Sequence, residues 1–303
     1  MSQGPGKGQR GATGATGPAA NVFGLLFGGG ADSNVTIAGG LTGLWQDLHA
    51  ANLAVTGTGI LNTNGWRIFV QGTLRIDAGG EIRADGQAGG SGGKPPQIGG
   101  VTAGLGATSN YLRGGFNGGS GAYTTRGSGG TTGPPYVLLG GAGGQGGSGN
   151  TGGGIGGTGM PLSSMRTRIN YWPAMLEGYA GGMSGVVFYG GAGGGGGVGG
   201  LTSSATACGG GGGGGGGIIV VAAKDIINAG VIGARGGTGG IGGSGISAGG
   251  GGGGGGGAVV VIYDTYTGSG TLSAAGGFGG IVFGSTGSTG VSGADGRVFQ
   301  FNV

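Results

Sequence analysis

The chain has 303 residues, 101 of them glycine, and only 7% are charged, against about 25% in an ordinary soluble domain. Thirteen Lys and Arg face nine Asp and Glu, a net charge of +4 with no basic run, which argues against nucleic-acid binding. A single cysteine, Cys208, and a single histidine, His49, exclude an internal disulfide and a His/Cys metal cluster within one subunit.

A glycine third without a chain-long triplet period ordinarily points to disorder. Disorder, however, follows from low hydrophobicity with high net charge, and here the apolar residues gather in β-type runs. Those runs reach about six residues, well short of the ~20 that a membrane span needs. Residues 1–20 contain no apolar core segment, so no signal peptide is read, and release by cell lysis is the expected route to any surface.

Residues 8–19 carry Gly8, Gly11, Gly14 and Gly17 with no glycine between them, and Pro18 in an X position. That spacing suits a collagen triple helix, where only hydrogen fits at the axis of three chains. A short trimeric stalk is expected, with Val22, Phe23, Leu25, Leu26 and Phe27 as an apolar anchor behind it. Residues 31–86 read as β, either solenoid or meander. Val35 alternates with Ile37, and Leu53 with Val55. An eight-residue period, Trp66-Arg67-Ile68, Leu74-Arg75-Ile76 and Ile82-Arg83-Ala84, predicts a stacked ladder of Arg67, Arg75 and Arg83, balanced by Asp77, Glu81 and Asp85.

Glycine dominates from about 86 to 283. Two runs of nine, 209–217 and 249–257, each lead into an apolar strand. The 40-residue offset holds beyond them: Ile226 matches Tyr266, Ile232 matches Leu272, and Ala234 matches Ala274. A third copy lies 150 residues upstream, matching Ile68, Val70, Ile76, Ile82 and Ala84 to Ile218, Val220, Ile226, Ile232 and Ala234. A repeat at fixed period decides architecture. Glycine can take the extended threefold helix without internal hydrogen bonds. Without Cβ atoms such helices can bond laterally and so satisfy their backbone groups. The expected fold class is all-β with polyglycine II: collagen-like triplets, a β-rich segment, then a lattice of polyglycine helices framed by short apolar strands, with almost no α-helix. The division is 1–30, 31–86 and 87–303. Arg297–Val303 alternates and reads as a closing strand.

Catalytic machinery is nearly absent from the sequence, and neither enzyme activity nor a cofactor or metal is expected. His49 reads as structural. Asp77 and Asp85, eight apart, are the one candidate carboxylate pair or weak cation site. Gly-x-Gly-x-x-Gly matches arise by chance at this glycine content, and Gly93-Lys94-Pro95 lacks the Ser/Thr of a phosphate loop. Recognition is better supported, because Trp, Tyr and Arg on loops of a rigid scaffold dominate binding hot spots. The island 160–189 supplies Arg166, Arg168, Tyr171 and Trp172, and a second group comprises Tyr111, Arg113, Tyr123 and Arg126.

The glycine tracts 190–200, 209–217, 236–245 and 249–257, broken by islands such as 160–189, resemble the distal tail-fibre adhesins of T-even-type bacteriophages. That likeness covers roughly 86–283. It implies a polyglycine-helix sandwich whose intervening loops bind receptors on the host outer membrane. The triplets at Gly8–Gly17 are outside that pattern and are more like the short collagen segments of phage tail and head fibres. The combined expectation is a homotrimeric fibre protein on the virion surface. It would attach through its N-terminus to other tail or capsid proteins and recognise a cell-surface glycan or outer-membrane protein, without nucleic-acid binding or membrane insertion. The alternative is a head fibre, capsid decoration or extracellular filament subunit assembled through its glycine surfaces. A lesser resemblance, to springtail antifreeze proteins, implies ice binding, but those proteins are small and disulfide-stapled.

Overall fold

The computed structural model describes residues 26–92, 102, 105–107, 112, 114–122, 140–148, 190–201, 206–244, 248–282, 284 and 287–303. These residues are all-β, with a helical turn only at Leu26 and Phe27. In chain order the strands are β1 (Asn34–Ile37), β2 (Gly40–Gly43), β3 (Leu48–Ala50), β4 (Asn52–Val55), β5 (Gly59–Asn62), β6 (Ile68–Ile76) and β7 (Glu81–Arg83). There follow β8 (Gly200–Leu201), β9 (Thr206–Ala207), β10 (Ile218–Asn228), β11 (Val231–Gly233), β12 (Ala258–Thr267), β13 (Thr271–Ser273) and β14 (Arg297–Asn302).

The long sheet runs β1-β4-β6-β10-β12-β14, with β3 also on β6, and the short sheet runs β13-β11-β7-β5-β2. Every pairing within both is parallel, for example Val35 on Leu53 and Ile60 on Glu81. A meander would pair antiparallel, so residues 31–86 form the first coils of a solenoid. Each coil passes from the long sheet through a turn to the short sheet and back. The long sheet crosses residue 86, since β6 pairs with β10.

The 40-residue repeat is the coil-to-coil register: Ile226 lies on Tyr266 and Ile232 on Leu272. The 150-residue match holds in the short sheet, where Ile82 lies on Ile232. In the long sheet it slips. Ile68 lies on Val221 rather than Ile218, and Ile76 on Asn228 rather than Ile226. The turn 77–80 is longer than the turn 229–230, and the ladder shifts again between Ala223 and Asp225.

The expected arginine ladder is not formed. Arg67, Arg75 and Arg83 follow one another along a single coil, because eight residues is shorter than one turn of the solenoid. Neighbouring coils instead stack Asn34 on Asn52 and Leu53 on Leu74. Arg67 pairs with Asp47 beneath its own corner, its Nε 3.0 Å from the carboxylate and its guanidinium over Phe69. Arg75 pairs with Asp77 at 2.7 Å.

Between the sheets lies the main core, including Leu53, Leu74, Ile82, Ile226, Ile232 and Val261. Alternate residues of the long sheet, Ile218, Val220, Val260 and Ile262, build a second cluster on its outer face under Phe27 and Leu112. Burial on both faces explains why β10 and β12 open as continuous apolar runs rather than alternating ones.

From β7, β11 and β13 the chain leaves the solenoid as glycine tracts and returns to β10, β12 and β14. The tracts lie side by side and bond to one another at three-residue intervals. Gly191, Gly194 and Gly197 donate to the carbonyls of Gly216, Gly213 and Gly210; Gly210, Gly213 and Gly216 donate to those of Gly249, Gly252 and Gly255. All nine N–H groups of 209–217 donate to other tracts, as do all nine of 249–257. The run 209–217 touches 84–92, 102 and 105–107, 114–122, 190–198, 234–243 and 249–257; the run 249–257 touches 140–148, 190–198, 209–217, 234–243, 274–282 and 287–296. Among the described residues the arrangement is a slab of three layers. The outer layers are 84–92, 234–243 and 274–282 on one side, and 114–122, 190–198 and 140–148 on the other. Between them lie 102 with 105–107, 209–217, 249–257 and 287–296.

Lattice position is written in the glycine spacing. None of the glycines in 209–217 or 249–257 has a positive φ, so close approach, not left-handed backbone, demands glycine there. A Cβ on Gly212 would sit 2.0 Å from the Gly194 carbonyl oxygen. In the outer tracts 234–243 and 274–282 the inward phases of 236–240 and 276–280 are all glycine, and the outward phase carries side chains. In 234–243, Gly236, Gly239, Gly237 and Gly240 face neighbours, while Thr238 and Ile241 point out and are exposed.

Candidate recognition surface

The lattice gives the molecule two ends. At the solenoid end the tracts meet β10, β12 and β14. At the far end the chain reverses between 92 and 102, between 198 and 209, between 243 and 249, and between 282 and 287. The second of these reversals carries the short antiparallel pair β8–β9. A scaffold whose central runs have every N–H bonded holds such loops in fixed relation.

All of the residues singled out for recognition, Arg166, Arg168, Tyr171, Trp172, Tyr111, Arg113, Tyr123 and Arg126, lie outside the described residues, as do the stalk glycines Gly8, Gly11, Gly14 and Gly17. Their described chain neighbours still separate them. Tyr111 and Arg113 bracket Leu112, which is buried in the second cluster at the solenoid end, its N–H 2.8 Å from the Gly65 carbonyl. Tyr123 follows Ala122, which bonds to Gly209 at the far end. The tract between accepts from Gly190 at Gly114 and from Gly209 at Ala122, so the second group is anchored at both ends of the slab. The island carrying Arg166 to Trp172 leaves from Ser148 at the far end and rejoins at Gly190, which is at the solenoid end.

Asp77 and Asp85 do not form a carboxylate pair. Asp77 takes Arg75, whereas Asp85 takes Arg235, with Nη2 at 2.7 Å and a second bond from Nε at 3.1 Å. Glu81 also pairs with Arg235. This cluster stands where the coils β7 and β11 pass into the lattice, and it ties two segments that are 150 residues apart. The Asp85 hydrogen bond, opposed by burial, holds the Arg235 guanidinium above its ordinary range. Sequence reasoning missed the pair, although Asp85 and Arg235 stand at the same 150-residue offset that identified the repeat.

His49 stacks on Phe69 with ring centroids 4.9 Å apart and planes within 7°, a structural placement. Burial pushes the Cys208 thiol above its usual range. No group of three or more metal-ligating side chains occurs among the described residues. Large exposed apolar side chains do gather on the outer layer that carries 234–243 and 274–282. There Phe278 is 75% exposed, with Ile281 and Ile241 beside it in the outward phase. No family model, curated protein or solved structure matches this chain.

Proposed function

We propose that the chain is a non-enzymatic phage fibre protein, a receptor-binding adhesin of a tail fibre or tail tip displayed on the virion surface. In this reading the glycine tracts are threefold polyglycine helices that serve as a rigid spacer. The observation that carries it is the gathering of chain reversals at the end of the slab remote from the solenoid, with both large islands departing from that end and rejoining at Gly140 and Gly190 at the solenoid end. The solenoid end, where the N-terminal segment enters through Phe27, is the mount, with the Gly8–Gly17 triplets as a trimeric stalk. Receptor contact falls to Arg166, Arg168, Tyr171 and Trp172, and to Tyr123 and Arg126. Tyr111 and Arg113, anchored at the mount end, are weaker candidates. The receptor class is a glycan or outer-membrane protein of the host.

The test is adsorption. Purified protein is expected to bind susceptible cells and to block infection by the parent particle. Trp172→Ala with Arg168→Ala is expected to abolish both while leaving the melting temperature unchanged. Unaltered adsorption by that double variant would refute the assignment of 160–177.

A second reading, a structural head fibre, capsid decoration or filament subunit, is favoured by the exposed Phe278, Ile281 and Ile241 on one face of the slab. In that case protein without bound cells should already form ordered assemblies, and Phe278→Ser should dissolve them.

A further inference from the structure

We propose that the two ends of the solenoid are complementary halves of one coil, and that copies of this chain associate head to tail through them. The inference rests on strand register alone and holds for an adhesin as for a structural fibre.

At the last coil, β14 covers only the first part of β12. Arg297 lies on Ala258 and Asn302 on Tyr263. Thr265, Tyr266 and Thr267 carry no described strand on their outer side, and neither does β13. The end of the solenoid is therefore notched. At the first coil the missing half is reversed. β1 lies on β4, whose Leu53 lies on Leu74, which lies on Ile226, which lies on Tyr266. So β1 occupies the column that ends in the notch. By the same route Leu41 of β2 heads the column Ile60, Glu81, Val231, Thr271. What the last coil lacks, the first coil has. Stacked on the notch, Val35 of a second copy meets Tyr266, Thr36 meets Thr267, and Leu41 to Gly43 meet Thr271 to Ser273. β14 lies alongside and completes the turn.

Backbone direction agrees. In a parallel ladder alternate residues bond to one side. Ser33 and Ile37 accept from Ala51 and Thr56 of the next coil, so Asn34 and Thr36 direct their groups outward. On β12, Gly257 and Tyr263 accept from Arg297 and Val303; the alternation then slips at Asp264, since Tyr263 and Tyr266 both pack on the core and Thr267 turns to the Ile226 carbonyl, so Tyr266 directs its groups into the notch, between Asn34 and Thr36. Side chains agree as well. Leu53, Leu74 and Ile226 are buried, but Val35 and Leu44 at one end and Tyr266 and Leu272 at the other are only partly covered. An open strand edge beside an open core invites strand addition, and a head-to-tail contact that does not close produces a chain of copies. Two sheets ~10 Å apart, with the 10 residues of β12 at ~3.3 Å each, outline about 330 Å² per end. That is small for a stable interface, so association should grow with concentration. One overlap exists. Asp32 and Ser33 bond to His49 and Ala51, in the places that the exposed Asn302 and Val303 of the other copy would take. Those last two residues must turn aside.

Sedimentation velocity of the full chain over a concentration series reads this directly. Expected is growth beyond the base state without a fixed stoichiometry. Thr36→Pro removes an outward N–H at one end, Tyr266→Pro does so at the other, and each alone should stop growth with an unchanged melting temperature. Mixed, the two variants retain one competent end each and should form a one-to-one pair that grows no further. Where proline lowers the melting temperature, Thr36→Lys and Thr265→Lys replace it. Deleting residues 302–303 should strengthen association. Wild-type protein that shows no growth at any concentration overturns the proposal, as does growth that persists in both single variants or a mixture that fails to pair.

Discussion

At the scale of single residues, glycine acts in this protein mainly through the absence of a side chain. A Cβ on Gly213 would stand 2.0 Å from the Gly237 carbonyl oxygen, in a tract with neighbours on all sides. Gly213→Ala is expected to destabilise by about 1–3 kcal/mol through overpacking, whereas Gly29→Ala, with nothing within 4 Å of the added atom, should be close to neutral in the same thermal melt. Arg235 is a different case. Its guanidinium is 40% exposed, so loss of its partner through Asp85→Ala is expected to lower stability by only about 1 kcal/mol. Its raised pKa favours the charged form in the fold. That contribution is present below the ordinary arginine range and fades only as pH climbs through the higher folded value, so Arg235 should add no pH dependence near neutrality. Cys208 is buried with its thiol pushed up. It should resist alkylation at pH 8 in the folded protein and react once denatured, and rapid labelling of the native state would contradict its placement beside Gly243.

At the scale of elements, the tract replaces the strand or helix as the bonded unit. Each central run sends its N–H groups to several partners, so no single neighbour can be lifted away without exposing donors. Hydrogen exchange should show this. The amides of 209–217 and 249–257 are expected to exchange as slowly as those of β10 and β12, and peptide-like exchange there would rule the lattice out. Many of the elements were legible in the sequence. The closing strand β14, the strands after both nine-glycine runs and the 40-residue register all follow from apolar spacing. The arginine ladder was misread because an eight-residue period looks the same whether it runs along a coil or across coils. Only strand pairing distinguishes the two. The slip of Ile68 onto Val221 was likewise hidden, since it depends on the lengths of the turns 77–80 and 229–230 and on a shift in the ladder.

At the scale of the whole molecule, the two sheets of the solenoid extend directly into two layers of the slab, and a third layer continues the cover over the outer face of the long sheet. The recognition candidates were named from composition alone, and that is as far as sequence can take them. The fold adds where their segments are anchored: Ala122 and Ser148 at the far end, Leu112 at the near end. Excision of residues 160–177, closed by a short glycine-serine link, is therefore expected to leave the melting temperature within a few degrees of the parent and to remove cell binding.

The sequence by itself determined that this chain is all-β, that it repeats, and that its glycine tracts are ordered rather than slack, because a 40-residue register and glycines kept in fixed phase are local, periodic features. Only the tertiary structure decided that the coils are parallel, that the two nine-glycine runs lie at the centre of the slab, and that Asp85 closes on Arg235. Each of those depends on contacts between segments that are far apart in the chain. A glycine carries no side chain to show which neighbour it will meet; its phase in the tract shows how many sides are enclosed, and the packing of the whole decides by what.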